Sequence, residues 1–512
     1  MSWSRRHFLR RAAAGGVSLI AMPTFLAGCG VQAARTVSAP TVADPFFAWF
    51  GVDERDIARI LSRLTVNGAD SADLYFQHRR QTLLRMDLGE VRPGGAEITQ
   101  GLGLRVAGSD GSGFSSTEDL SMDGMLAAAD EAASAIRVGS PASPSVLVRG
   151  EEGGLYRTSV PWVEIGFDRK LPVLSLADRL ARQSDPAIDN VTVSWSDTDE
   201  RVLLATADGR LIRDYRPMTR LSIQVSATRN GVTHSGFANM AARAGLDWYS
   251  DARVAELVDV AVQRTMLLFE ARMPPAGEFP VILAAGTGGV LLHEAIGHTL
   301  EADFVDRGDS IYANRIGERI AEAPINLVDQ GTLAGERGAL NYDDEGNACR
   351  RNLLVENGVL RSYLHDAASA RRAGVEPTGS GRRQTYRHQP MPRMTCTFID
   401  NGTHERDELV AAVDRGILVE TFTGGNVQLG SGDYDFVVRN GWLIEGGRLR
   451  MPLRDIRLAG NGPATLAGIR MVANDFRMDP GGWTCGKNGQ RVPVSQGMPS
   501  VLVDRISVQP LA

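Results

Sequence analysis

The chain has 512 residues, of which 43% are apolar and 23% charged. That composition excludes wholesale disorder and leaves room for two or three domains with cores of useful size. The formal charge of −6 disfavours nucleic acid as a partner.

The amino terminus departs from this average. SRRHFLRR at 4–11 is basic with paired arginines, and an uncharged run, AAAGGVSLIAMPTFLAG, follows before Cys29. The run is too short for a comfortable membrane span and reads as an export signal. Arg5 and Arg6 with Phe8 and Leu9 resemble the twin-arginine motif, and LAGC at 26–29 resembles a lipobox, so residues 1–28 are expected to be removed and Cys29 lipidated. Removal takes away four arginines and no acid, which lowers the formal charge from −6 to −10. The expected location is a membrane-anchored lipoprotein facing the periplasm or cell exterior.

Residues 29–45 are small, polar and interrupted by proline, as a tether would be. An N-terminal α+β domain is expected over 46–150. Within it, Ile57, Ile60, Leu61 and Leu64 recur at helical spacing, LYFQHRRQTLLRMDL and GLGLRVAG read as strands, and an alanine-rich helix spans about 121–136. GSPASPSVLVRGEEGG at 139–154 marks a boundary. A middle α+β domain, 151–274, carries helices near 176–183 and 251–271. Its strands turn at Asp208-Gly209 and Asn230-Gly231, both favoured hairpin dipeptides.

The third region, 275–512, opens on the buried-strand pattern FPVILAA and runs through GTGG into a helix carrying HEAIGH at 293–298. Strands and turns dominate the rest, with short helices expected at 363–373 and 406–415, the latter ended by Gly416. No internal repeat is visible. The fold class is therefore α+β: mixed N-terminal α/β regions, then a β-rich C-terminal catalytic domain with the metal-binding helix near its start. The glycines before the helix are not a phosphate loop, because the expected lysine and its Ser/Thr neighbour are missing.

HEAIGH is one residue longer than the zinc-peptidase pattern H-E-x-x-H. At about 100° per residue, positions five apart on a regular helix sit roughly 140° apart, so His293 and His298 could not share an ion. A π-bulge, or a helix that ends near Gly297, would bring both rings to one side. Gly297 is thus expected to make the spacing workable. Two imidazoles bind zinc, and Glu294 can take a proton from a water that the metal acidifies. A third protein ligand is still needed. With Cys29 assigned to the signal, Cys349, Cys396 and Cys485 remain, an odd number that leaves at least one outside any disulfide.

Four separated segments carry a resemblance: GTGGVLLHEAIGHTLEADF at 286–304, GSGRRQTYRHQPMPRM at 379–394, SGDYDFVVRNGWLIEGG at 431–447, and MVANDFRMDPGGWTCGKNGQRVPVSQGMPSVLV at 471–503. In that order they resemble the signature segments of the TldD/PmbA metallopeptidase family. The family pairs an active subunit that has H-E-x-x-x-H with a relative that has lost it; this chain resembles the active, TldD side. The resemblance implies one zinc ion held by His293, His298 and Cys485, with Glu294 as general base and Glu301, Asp303 or Asp306 as substitute ligands should Cys485 be a buried thiol. It implies peptidase activity on unfolded or flexible peptides, and either a TldE/PmbA-like subunit or a homodimer. Cys349 and Cys396 remain free thiols or a pair, and His388 and Arg393 remain residues that contact substrate or hold the site together, or ordinary solvated or hydrogen-bonded loop residues. Two other readings stay open: a non-catalytic peptide-binding lipoprotein, and a metal-dependent amidase of the cell envelope. The familiar relatives are cytosolic heterodimers, so an exported form leaves partner and substrate open.

Overall fold

The computed structural model describes residues 45–511 except 109–110, 137–143, 152, 157, 324 and 429–430. The export signal, Cys29 and all of the tether except Pro45 lie outside the described residues.

Two short helices, α1 (Pro45–Phe50) and α2 (Glu54–Leu64), begin the described chain. Asp53 caps α2: its carboxylate accepts from the amides of Arg55 and Asp56, while Asp56 accepts in return from the Asp53 amide. Ile57, Ile60, Leu61 and Leu64 are all buried, so the helical periodicity marks the packed face.

Long antiparallel strands follow: β1 (Ser71–Asp87), β2 (Glu90–Gly108) and β3 (Gly111–Thr117), then the helix α3 (Met122–Ala133). After the short strand β4 (Val148–Arg149) come α4 (Phe167–Ser184), β5 (Ile188–Thr206), β6 (Arg210–Tyr215), β7 (Met218–Arg229), β8 (Val232–Ala242) and α5 (Asp251–Leu267). The turn between β7 and β8 holds Asn230 and Gly231 at φ 51° and 75°, the left-handed pair that a tight hairpin requires. α4 is longer than its periodicity suggested and carries Pro172 inside it, where the missing amide leaves the Asp168 carbonyl without its usual helical donor.

Strand β1 pairs with β2 on one side and with β5 on the other, from Asp73 opposite Thr206 to Asp87 opposite Thr192. One eight-stranded sheet therefore crosses the expected 150/151 boundary. Helices α2 and α3 cover one part of it over Leu74, Phe76, Leu102 and Leu104; α4 and α5 cover another over Val191, Val193, Leu221 and Ile223.

Beyond α5, strand β9 (Gly277–Leu283) joins a seven-stranded sheet. Val501–Pro510 pairs with both β9 and Arg448–Asn461, and Arg415–Val419 pairs with both β9 and Asp433–Glu445, which closes five of the strands into a ring. A six-stranded sheet, which includes Leu327–Gln330, Cys396–Ile399 and Ser495–Met498, packs beside it. The shared core takes Val281, Leu283 and Val503 from strands together with Val290, Leu291, Leu292 and Ala295 from the helix that follows β9. The mixed α+β architecture with a β-rich C-terminal part is as expected. One detail differs: the helix after Glu405 ends at Ala411, and Gly416 lies in the strand Arg415–Val419. There an added Cβ would stand 2.6 Å from Pro280 O, so this glycine serves strand packing rather than helix termination.

Candidate metal centre

From β9 the chain turns at Gly286 (φ 81°) into α6 (Gly289–Ala295). The start of α6 approaches the strand Ser495–Met498 so closely that a Cβ on Gly289 would fall 2.7 Å from the Gly497 amide nitrogen. The helix stops at Ile296, where φ −121° and ψ −51° end its regular path, although its amide still donates to Leu292 O at 3.1 Å. A 3₁₀ turn, Gly297–Leu300, carries His298. The helix ending, rather than a π-bulge, is thus what brings the rings together: the centroids of His293 and His298 are 5.1 Å apart with planes at 83°.

The role expected of Gly297 changes accordingly. The backbone departs from helix one residue earlier, and Gly297 is outside the left-handed region. Its hydrogen is needed for space, since a Cβ would lie 2.2 Å from Met394 Sδ.

Cys485 approaches from far along the chain, on the strand Thr484–Lys487, which pairs with Gln490–Pro493. Its Sγ is 3.1 Å from His298 Nε2. One potential ligand atom each from His293, His298 and Cys485 lie within 4.8 Å of one another, and all three residues are buried. Two imidazoles and a thiol are the donors zinc prefers. A second observation tests the fit: neither ring nitrogen of His293 has a hydrogen-bond partner despite burial. A buried imidazole left unpaired is costly, and a cation taking its lone pair removes that cost at one of the two nitrogens. The residues present therefore fit the metal.

Electrostatics agree. Burial alone would raise the Cys485 thiol, but the charges of His298 and His293 outweigh it and hold the thiol well below its ordinary value. Burial opposes charge on His298 as well, yet Glu301 and Cys485 raise it well above the usual imidazole. Glu294 differs from its neighbours because its side chain is 36% exposed; Oε2 lies 3.8 Å from His298 Nε2. That places a carboxylate at the mouth of the donor cluster, within reach of water.

Three further residues hold the cluster in place. Glu301 is fully buried; Oε2 meets His298 Nδ1 at 2.8 Å and Lys487 Nζ at 2.9 Å, and Oε1 accepts from the Met394 amide at 3.2 Å. Burial pushes this carboxyl up, but His298 and Lys487 override it and keep it well below the usual range. Lys487 also donates to Asp303 at 2.6 Å and to Pro392 O at 2.9 Å. Arg393, fully buried, donates to Cys485 O at 2.7 Å. Of these, the sequence offers only Arg393 as a residue that could hold the site together; Glu301 stands as a substitute ligand and Lys487 is not singled out. The signals were slight: Glu301 follows His298 by three, and Lys487 follows Cys485 by two.

The other candidates lie elsewhere. Asp303 and Asp306 are taken up by Lys487 and by Arg372, the latter pair at 2.6 Å, and Glu301 holds His298 from behind, so none replaces Cys485. Cys349 and Cys396 are buried free thiols. His388 meets Thr385 Oγ1 at 2.9 Å and is outside the donor cluster. No helix among the described residues is long and apolar enough to cross a membrane.

Comparison with known proteins places this geometry in context. Residues 72–136 match the PmbA/TldA metallopeptidase domain 1, residues 161–269 the central domain, and residues 276–510 the C-terminal domain of the same family. The chain is 35% identical over 459 residues to the metalloprotease TldD homolog of Haemophilus influenzae, covering 88% of this chain and 95% of that protein. It is 36% identical over 236 residues to the zinc metalloprotease TldD homolog of Saccharolobus solfataricus, covering 46% and 52% of the two chains. Among solved structures, a putative modulator of DNA gyrase from Thermotoga maritima superposes with a TM-score of 0.71 at 21% identity, over 89% of this chain and all of that one. TldE from Thermococcus kodakarensis gives 0.69 at 18% identity, over 89% and 99%. At those identities the two structures speak to fold alone. Three family domains in order, with a relative more than one-third identical across nearly the whole chain, show that the protein belongs to the PmbA/TldD family of metallopeptidases.

Proposed function

We propose that the protein is a zinc-dependent peptidase acting on unfolded or flexible peptides, with His293, His298 and Cys485 as ligands of one zinc ion and Glu294 as general base. The observation that carries this reading is the buried, unpartnered His293 imidazole beside His298 and a thiol held toward its anion. Zinc, when bound there, supplies a Lewis acid able to bring the pKa of a water to about 7.

The remaining chemistry belongs to the chain. Glu301 engages His298 Nδ1, which leaves Nε2 facing Cys485 Sγ and fixes the ring's orientation. Arg393 and Lys487 hold the backbone and the carboxylate around that pair. Glu294, partly exposed and next in sequence to His293, accepts the proton from the attacking water and passes it to the leaving amine. An extended peptide can align by adding to a sheet edge, whereas a folded one offers no free backbone to do so.

Purified Glu294→Ala is expected to keep stoichiometric zinc and to lose cleavage of unstructured peptides by about 100-fold or more. Cys485→Ser is expected to lose zinc. Full activity in Glu294→Ala, or unchanged zinc affinity in Cys485→Ser, would sink the assigned roles.

The family suggests a TldE-like partner subunit, with a homodimer as the alternative, and the amino-terminal sequence an exported protein anchored through Cys29. Labelling with radioactive palmitate in cells should mark the parent chain and not Cys29→Ala; equal labelling of both would refute the anchor.

A further inference from the structure

A cleft of about 610 Å³ lies where β1, β2, β5 and β7 face the C-terminal region. Its wall includes Arg79, Arg220, Arg243, Arg337, Arg382 and Arg383. Arg216 and Arg387, also on the wall, are paired with Asp214 and Asp344 and with Glu118; of the six, only Arg383 has a carboxylate partner, Asp73 at 2.9 Å. The others donate to neutral groups: Arg79 to Gln81 Oε1, Arg220 to Asn239 Oδ1, Arg243 to the Arg337 carbonyl, Arg337 to the Trp483 carbonyl, and Arg382 to the Met394 and Pro493 carbonyls. Among the described residues, none of these five makes an ion pair with an acid.

The acids that share the wall do not offset this. Asp344 is neutralised by Arg216 at 2.5 Å; Glu200, which meets only the neutral Gln77 amide at 2.5 Å, and exposed Glu97 are two carboxylates against five such arginines. Arg383 adds a separate observation. It is 3% exposed, and its Nε and Nη1 are buried without any hydrogen-bond partner. Guanidinium donors buried in this state are expensive; Nη2 is already held by Asp73 and the Asp344 carbonyl, so an acceptor oxygen of an anionic ligand at either free nitrogen would lower that cost. The like charges are also felt mutually: burial, then Arg243, Arg220 and Arg79, push the Arg337 guanidinium down to about 9. An anion in the cleft relieves that repulsion.

The cleft is tied to the metal centre through one strand. Thr484 lines it, and Cys485, the next residue, faces the opposite side and meets His298. Arg337 is fastened to the same strand through Trp483 O at 2.9 Å and Thr484 Oγ1 at 3.3 Å.

We infer that this cleft is a substrate subsite that holds carboxylates of an extended peptide, so that acidic flexible peptides are the preferred substrates. The inference rests on the peptidase reading above. Peptide is favoured over nucleic acid because the chain as a whole is acidic, with a net charge of −6.

The test is fluorescence anisotropy on the Glu294→Ala protein, so that binding is read without turnover. The probes are C-terminally amidated peptides of alternating Glu-Gly, Gln-Gly and Lys-Gly, and a Gln-Gly peptide with a free carboxyl terminus. The Glu peptide should bind about tenfold more tightly than its amidated Gln analogue, and the preference should shrink as salt is raised. Binding of the free-carboxyl Gln peptide alone would assign recognition to the chain terminus and overturn the preference for acidic peptides. Arg79→Gln with Arg220→Gln, at two half-buried positions, should lose the preference; Arg59→Gln, exposed on α2, should keep it. Equal affinity for Glu and Gln peptides, an unchanged preference in the double variant, or equal competition by an oligonucleotide would overturn the inference. Cleavage assays on the unsubstituted, zinc-loaded protein distinguish the outcomes: if it cleaves flexible peptides without regard to acidic residues, the subsite fails and the peptidase stands. If it binds the Glu peptide selectively yet cleaves nothing, the peptidase fails.

Discussion

Glu301 has the most consequential single environment in the structure, because one fully buried carboxylate meets an imidazole, an ammonium and a backbone amide. Replacing it by Gln keeps the shape and removes the charge. His298 then loses its anionic partner, Lys487 keeps only Asp303 as counter-charge, and the ring is freer to turn away from Cys485. Partners of this kind behind a metal ligand typically change affinity by about 10–100-fold. Glu301→Gln is therefore expected to weaken zinc binding by that factor, with the fold intact, as measured by competition with a chromophoric chelator. Unchanged affinity would reduce Glu301 to a packing residue. At this scale, sequence exposed the donors and concealed their support. Spacing and chemical type singled out His293, Glu294 and His298, and resemblance supplied Cys485. Glu301 and Lys487 become meaningful only when residues nearly two hundred positions apart meet, and no local pattern records that meeting.

The break between α6 and the 3₁₀ turn is the element on which the donor geometry depends. Its environment leaves no slack: Met394, fully buried, occupies the space a side chain at 297 would need. Gly297→Ala should cost about 1–3 kcal/mol, as forced overpacking does. Because the clash is with the end of a flexible side chain, the cost should couple to Met394: in a urea-unfolding cycle, Gly297→Ala should destabilise measurably less in a Met394→Ala background than alone. Additive costs would show that the backbone, and not Met394, rejects the methyl group. The existence of the elements was largely legible beforehand, since Ile57, Ile60, Leu61 and Leu64 and the Asn230-Gly231 turn are governed by local periodicity and dihedral preference. Where an element stops was less so. Gly416 has the look of a helix terminator, but close approach to Pro280 explains it, and the unusual backbone at Ile296 has no signature in residue type.

On the scale of the whole molecule, the sheet of β1 to β8 is joined to the C-terminal region through buried ions. Asp73 accepts from Arg105 at 2.6 Å and from Arg383 at 2.9 Å, while Asp344 meets Arg216 at 2.5 Å and Tyr75 OH at 3.2 Å. Burial pushes the Asp73 carboxyl up, but Arg105 and Arg383 together hold it below its ordinary value. Its folded-state value is thus depressed relative to the unfolded chain, so its contribution to stability is full above 3.8, the ordinary value, and is lost as pH falls through the folded one. Asp73→Asn should lower unfolding free energy at neutral pH by about 3–5 kcal/mol, as removal of one member of a buried pair does. The gap from the parent should narrow in acid; a gap independent of pH would remove the charge from the explanation. This junction was illegible in the sequence, because it links β1 to residues some 270 to 310 positions later. The pairing of β1 with β5 was hidden for the same reason: each strand announces itself locally, but neither announces its neighbour.

The place of Val501–Pro510 between β9 and Arg448–Asn461 has a consequence for biosynthesis. Translation delivers this strand after the other four of the ring, so the ring stays open until it has emerged from the ribosome, and the segment bearing Cys485 emerges only shortly before. A nascent chain stopped short of this strand carries His293 and His298 without the closed scaffold that aims them, so the donor cluster is expected to assemble only once synthesis has passed it.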